Sequence, residues 1–337
     1  MRPICLAAHE KPVLAVKINR DGDLLFTASM DKSIMLWYTN NGERIGTYDG
    51  HQGAVYDCDV DYKSKRLLSA CADASVKLWD VLTGKCLMTF KEEDDHQPRR
   101  KVAWHYEQET FFYTTMRFKV NGRIVIQKCG DDPSNPPPPE MIIERDSKKN
   151  IIDAIWGPRC KTIITVDDEG FLIQYDVETG KEVKRIKHSE GTVTEITGIV
   201  YSHDKTKIAV CGRDKMVKLY ESKNLTVVNE YMATKPLNHV ALHPKLPIIM
   251  ACGGEKAIDV ALTTASKGQF EVQFFHLIYK VLIGEVQTGH YSPLRVCTFS
   301  PDGEFFVTGS EEGNCRIFKF DSNFTEKFQS AFGTAIS

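Results

Sequence analysis

LLFTASMDKSIMLW at residues 24–37 and LLSACADASVKLW at residues 67–79 are two copies of one pattern. Outward from them, His9, Asp31 and Trp37 recur as His51, Asp73 and Trp79, each displaced by 42 residues. A repeat of about 40–45 residues that opens on Gly-His and closes on Trp-Asp marks a four-stranded propeller blade. Gly50-His51 and Trp79-Asp80 supply both dipeptides. Inside each unit, short runs alternate apolar and polar with a period of two, as half-buried strands do.

The register continues through the turn residue that precedes each third strand: Asp31, Asp73, Asn121, Glu169, Asp214, Glu255 and Glu312. Six residues beyond each stand Trp37, Trp79, Gln127, Tyr175, Tyr220, Ala261 and Phe318, mostly aromatic. The expected fold is therefore all-β, a seven-bladed WD40 β-propeller over residues 1–322. Residues 323–337 form a tail that is expected to be flexible, although Phe324, Phe328 and Phe332 share one side of a possible helix. No blade precedes residue 9, and one strand, CRIFKF at 315–320, follows Glu312. Residues 3–7 are accordingly expected to complete the last blade and remove two open sheet edges.

In blades one and two, His9–Thr27–Asp31–Trp37 and His51–Ser69–Asp73–Trp79 are expected to form buried hydrogen-bonded networks. These sets resemble a catalytic His–Ser–Asp constellation, but repetition at a fixed interval assigns them to the scaffold. No catalytic, cofactor-binding or metal-binding residue is expected. Neither GxxxxGK[ST] nor GxGxxG after a strand occurs. His239 and His243 form HxxxH without the Glu of zinc proteases, and their spacing places both on one face of a strand. The ten cysteines never form CxxC and read as small hydrophobes. Asp94-Asp95-His96 and Asp167-Asp168-Glu169 read as solvated turns. Arg99-Arg100-Lys101 and Lys148-Lys149 are short basic patches without interleaved aromatics.

Two segments depart from the repeat. Blade three is degenerate and is followed by GDDPSNPPPPE, in which Pro136–Pro139 read as a stiff surface loop. Blade six carries an insertion of about 15 residues, TTASKGQFEVQFFHLIYKVLIGEVQTGH at 263–290. Alternating Phe270, Val272 and Phe274 predict lengthened third and fourth strands packed on blade seven.

Hydrophobic residues make up 42% and charged residues 26%, with a net charge of -2, which excludes general disorder and a protein that lives by gripping phosphates. No apolar run approaches the ~18 residues of a membrane span. The apolar stretch of MRPICLAAHEK is too short for a signal peptide, so a cytoplasmic protein, monomeric in isolation, is expected.

MRPI, NRDGDLLFTAS at 19–29, WYTNNGERIGTYDGHQGAV at 37–55, KPLNHVALHP at 235–244, GGEKAIDV at 253–260, KGQFEVQFFHLIY at 267–279 and IGEVQTGHYSP at 283–293 resemble the subunit i family of eukaryotic translation initiation factor 3. The blade-six segment is the most diagnostic, and the likeness is loosest across 95–160. The resemblance implies a non-catalytic subunit that binds a C-terminal helix of subunit b and the N-terminal part of subunit g. It also implies support for mRNA recruitment and scanning, with the 40S ribosomal subunit reached through the complex; the near-neutral charge and short basic patches lead to no expected direct specific nucleic-acid binding. A basic helix would fit an acidic edge, for which blades five and six offer Asp214, Glu221 and Glu230 around Leu225 and Tyr231; Asp214 reads equally as the blade-five turn acid. The alternatives are a WD40 adaptor in signalling or ubiquitin-ligase complexes, and a hydrolase using the central channel. The latter needs inward acids or histidines on several first strands, which the alternation does not clearly show.

Overall fold

The computed structural model describes residues 2–7, 9–92, 95–116, 121–130, 132, 135–145, 149–188, 195–254 and 270–333. Seven antiparallel four-stranded sheets follow one another around a central channel. The first strands, from Val13–Ile18 in blade one to Leu294–Phe299 in blade seven, line that channel. Their side chains alternate between the channel and the neighbouring blade because a strand presents successive residues to opposite faces.

The ring closes as its sequence predicts. Ile4–Leu6 is the outermost strand of the last blade, pairing Ile4 with Ile317, Cys5 with Arg316 and Leu6 with Cys315. Gly313 makes this junction tight. Its φ of 89° is open to glycine, and a Cβ there would sit 2.2 Å from the His9 carbonyl oxygen.

Apolar burial is concentrated between blades rather than in one central core. Each of the seven interfaces has its own cluster, such as Leu6, Val13, Leu25, Trp37, Val307 and Ile317 between blades seven and one. The cluster between blades six and seven is aromatic, with Phe274, Phe299, Phe306, Phe318 and Phe328 buried together. No helix among the described residues is long and apolar enough to cross a membrane.

Two expectations change here. The third strand of blade six is Phe270–His276, and Phe275, opposite Ile249, occupies the position assigned to Ala261. Counting six residues from Glu255 fails because the insertion lies before that strand; Glu255 and Ala261 are outside the described residues. The lengthened strands are present, as Phe270–His276 and Leu282–His290, and Val272 and Phe274 pack against blade seven. The tail expected to be flexible contains a helix, Phe324–Phe332, whose Phe328 is buried and stacks on His276 with ring centroids 5.5 Å apart. Phe320, Phe324 and Phe332 continue this aromatic column.

Candidate functional site

The two repeated networks are assembled by register. His9 precedes the first strand, Thr27 lies on the second, Asp31 in the following turn and Trp37 on the third. His9 Nδ1 donates to Asp31 Oδ2 at 2.8 Å, and its Nε2 accepts from Thr27 Oγ1 at 2.9 Å. Trp37 Nε1 donates to that hydroxyl at 3.1 Å. His51, Asp73, Ser69 and Trp79 repeat the chain at 3.0, 2.7 and 2.8 Å. Burial pushes the Asp31 carboxyl up, but hydrogen bonds from His9 and Ser33 outweigh it and hold the group at about 2. A nucleophilic hydroxyl would need open space beside it; Thr27 and Ser69 are fully buried under indole rings.

A third copy was missed in the sequence. His290 Nδ1 lies 2.7 Å from Glu312 Oε1 and its Nε2 3.0 Å from Thr308 Oγ1. The spacings of 18 and 22 residues equal those of His9–Thr27–Asp31 and would have found it.

The remaining blades substitute other chemistry. In blade three, Asp95 rather than Asn121 is the buried acid, 2.7 Å from Arg99 and 2.5 Å from Arg123. Gln127, where an aromatic is expected, donates to Pro137 O at 2.7 Å and so ties the proline loop to its blade. In blade four, Glu169 pairs with Lys149 at the surface, while Asp167 is buried against Arg145, which also donates to Tyr175 Oη. Asp95 and Asp167 are therefore not solvated; each neutralises a buried guanidinium, without which either charge would be costly. In blade five, His188 is 3.0 Å from Tyr220 Oη and 3.9 Å from Asp214.

His51, Cys71 and Asp73 have ligand atoms within 4.8 Å of one another. Their donors are engaged in protein hydrogen bonds: Cys71 Sγ donates to Gly53 O at 3.2 Å, and both His51 nitrogens are used. Burial pushes the Cys71 thiol up to about 12, the opposite of what a metal thiolate needs.

The channel, a cavity of about 820 Å³, holds charges that the alternation did not reveal. Lys101 bridges Asp57 at 3.3 Å and Asp153 at 2.9 Å, and Lys17 lies 3.6 Å from Asp59. These residues come from the first strands of blades one to four, and His239 of blade six faces the same space. Inward acids and a histidine are thus present, correcting the sequence expectation. The acids are held within the wall. Asp57 accepts from Val102 N, and Asp153 from Ile199 N at 3.2 Å, joining adjacent blades. Burial raises the Asp57 carboxyl despite Lys101 and Lys17; Asp153 is buried too, but Lys101 lowers it below its ordinary value. Arg99-Arg100-Lys101 is consequently no surface patch: Arg99 is buried and the other two line the channel.

His239 and His243 do not act together. His239 lines the channel, whereas His243 sits in the turn beyond the strand, 3.1 Å from Gly303 O and accepting from Leu246 N. Burial holds His188 at about 3 and both of these at about 4. An unfolded histidine protonates near 6.5, so below that pH the unfolded chain binds up to three protons that the folded chain refuses. Stability should fall as pH drops from 6.5 towards 4, with a slope near pH 5 on the order of 1 kcal/mol per pH unit or more. Urea unfolding at pH 7, 6 and 5 measures this slope; equal stabilities at all three would contradict it.

The proposed acidic edge is divided by the structure. Glu221 and Glu230 are exposed, Glu230 3.0 Å from Lys218. Leu225 and Tyr231, expected as apolar anchors, are each 2% exposed and cannot receive a partner. Leu225 packs beneath blade five, and Tyr231 hydrogen-bonds to Leu277 O of the next blade. Asp214 is largely buried and caps its own turn by accepting from Met216 N. The exposed apolar residues of this edge are Val227, Val228 and Met232 on the outermost strand, with Tyr279 and Leu282 on blade six. Val228, Glu230 and Met232 alternate with Asn229 and Tyr231 and carried that signal, because an outer strand shows one face to solvent.

The EIF3I family profile matches residues 1–330. "Eukaryotic translation initiation factor 3 subunit I" of Botryotinia fuckeliana (strain B05.10) is 34% identical over 328 residues, covering 96% of each chain. The protein of that name from Bombyx mori is 33% identical over 327 residues, covering 96% of this chain and 97% of the relative. Among solved structures, the β-propeller domain of Cps50 (Swd1) from Myceliophteria thermophila superposes with a TM-score of 0.73. It is 16% identical and covers 95% of this chain and 99% of that one, a likeness of fold alone.

Proposed function

Because this chain belongs to the eukaryotic translation initiation factor 3 subunit I family, we propose that it is a non-catalytic scaffold subunit of that factor in the cytoplasm. It binds subunits b and g and supports mRNA recruitment and scanning on the 40S subunit through the complex. The observation that carries this reading is the family match along the whole ring. The buried networks of blades one, two and seven support it, since their histidines and hydroxyls are spent on the scaffold. A rigid ring also suits docking: the partner's ordering costs entropy on one side only. Membership of the family leaves the signalling or ubiquitin-ligase adaptor without support.

The outer edge of blade five is the proposed seat of the subunit b helix, with Glu221 and Glu230 as acidic groups and Val228 and Met232 as apolar contacts. Replacing both acids with Lys should weaken binding of the C-terminal segment of subunit b by about tenfold or more. Isothermal titration measures it, and unchanged affinity removes this edge from the account.

A further inference from the structure

Every first strand carries a bulge at the same place, between its first and third residues. A bulge re-aims the extra side chain. Here the extra residues, among them Tyr56, Arg100, Thr197, Asn238 and Arg295, form a ring around one mouth of the channel. Arg213, from the turn after Lys207–Gly212, reaches the same cavity.

Three guanidinium groups therefore line one cavity. Arg295 is paired with Glu311 at 2.8 Å. Arg100 donates from Nε to Ile152 O at 2.8 Å, and its two terminal nitrogens have no hydrogen-bond partner among the described residues. Arg213 donates to Asn238 Oδ1 at 2.9 Å and to Gly254 O at 3.3 Å. Neither Arg100 nor Arg213 has a carboxylate partner among the described residues. Burial disfavours the charge on Arg100, Asp153 and Tyr56 offset part of this, and Arg295 adds repulsion. A desolvated guanidinium with no carboxylate within ion-pair distance is unfavourable, and an anion beside it would relieve the cost.

We infer that this mouth binds the carboxylate of an Asp or Glu side chain in an extended segment of a partner polypeptide. Arg100 and Arg213 are the charged donors, and Asn238 positions Arg213. The surroundings select a single carboxylate over a nucleic-acid backbone. Glu195 lines the cavity and Asp168 supports the charge on Arg100, so a chain of phosphates meets more repulsion there than a single carboxylate does. Deeper in the channel, Lys101 is taken up by Asp57 and Asp153 and Lys17 by Asp59, so that layer offers an incoming anion no unpaired cation. A short acidic side chain reaches the guanidiniums and stops above that layer. The site does not depend on the blade-five edge or on the identity of the partners proposed there.

Arginine Nε–Hε resonances of the ¹⁵N-labelled full chain report binding directly. The probes are a blocked heptapeptide with one central Glu, its Gln counterpart, inorganic phosphate and oligouridylate. The Glu peptide should shift the Arg100 and Arg213 signals saturably, with the Gln peptide at least tenfold weaker. Arg100→Gln and, independently, Arg213→Gln should each weaken the Glu peptide at least tenfold, with unfolding midpoints checking that both variants fold. No saturable shift, equal binding of the Gln peptide, tighter binding of phosphate or oligouridylate, or undiminished binding by both folded variants would overturn the assignment.

Discussion

Deleting residues 1–8 should destabilise the whole ring, lowering unfolding free energy by at least about 3 kcal/mol. The deletion removes the ladder between Ile4–Leu6 and Cys315–Lys319. It also withdraws Leu6, 1% exposed, from the core shared by blades seven and one. A lost outer strand on any other blade would be a local defect, but here the strand ties the two ends of the chain together. The exposed edge of Cys315–Lys319 should also promote association between copies. Thermal unfolding and light scattering read both effects; an unchanged melting curve would mean that the ring does not close through this strand.

Replacing Lys101 with Met should be as damaging from a single position. Lys101 stands between Asp57 and Asp153, and no other cation lies within ion-pairing distance of those two acids among the described residues. Its removal leaves two buried carboxylates facing each other, and breaking a buried pair in this way costs about 3–5 kcal/mol. The triple variant Lys101→Met, Asp57→Asn, Asp153→Asn removes the uncompensated charge and should recover most of the loss. Chemical denaturation of the two variants makes the comparison. A single variant within about 1 kcal/mol of the parent would show that water already screens the channel.

The ring was legible because propellers repeat. His9 and His51 stand at the same spacing from Asp31 and Asp73, and the strand that closes the ring follows from the unfilled place in blade seven. Legibility failed where the repeat is broken by length or by chemistry. Ala261 was assigned by counting across an insertion, and counting cannot say on which side of a strand the extra residues fall. Asp95 and Asp167 look like ordinary acidic turns in sequence; their burial depends on Arg99, Arg123 and Arg145, brought close by sheet pairing and turns. Leu225 reads as an apolar anchor in sequence, but the turn that follows Met216–Glu221 packs it against Ile208 and Tyr220 inside the blade. The channel charges were hidden for a further reason. Each bulge shifts the alternation by one residue near the start of the first strand, so Arg100 and Lys101 both turn inward.

Light scattering of the purified full chain, mixed with recombinant subunits b and g during size-exclusion chromatography, tests the scaffold reading most directly. The account predicts one peak whose mass equals one copy of each protein. Elution of the chain alone at 38.1 kDa, with both subunits in separate peaks, would contradict it.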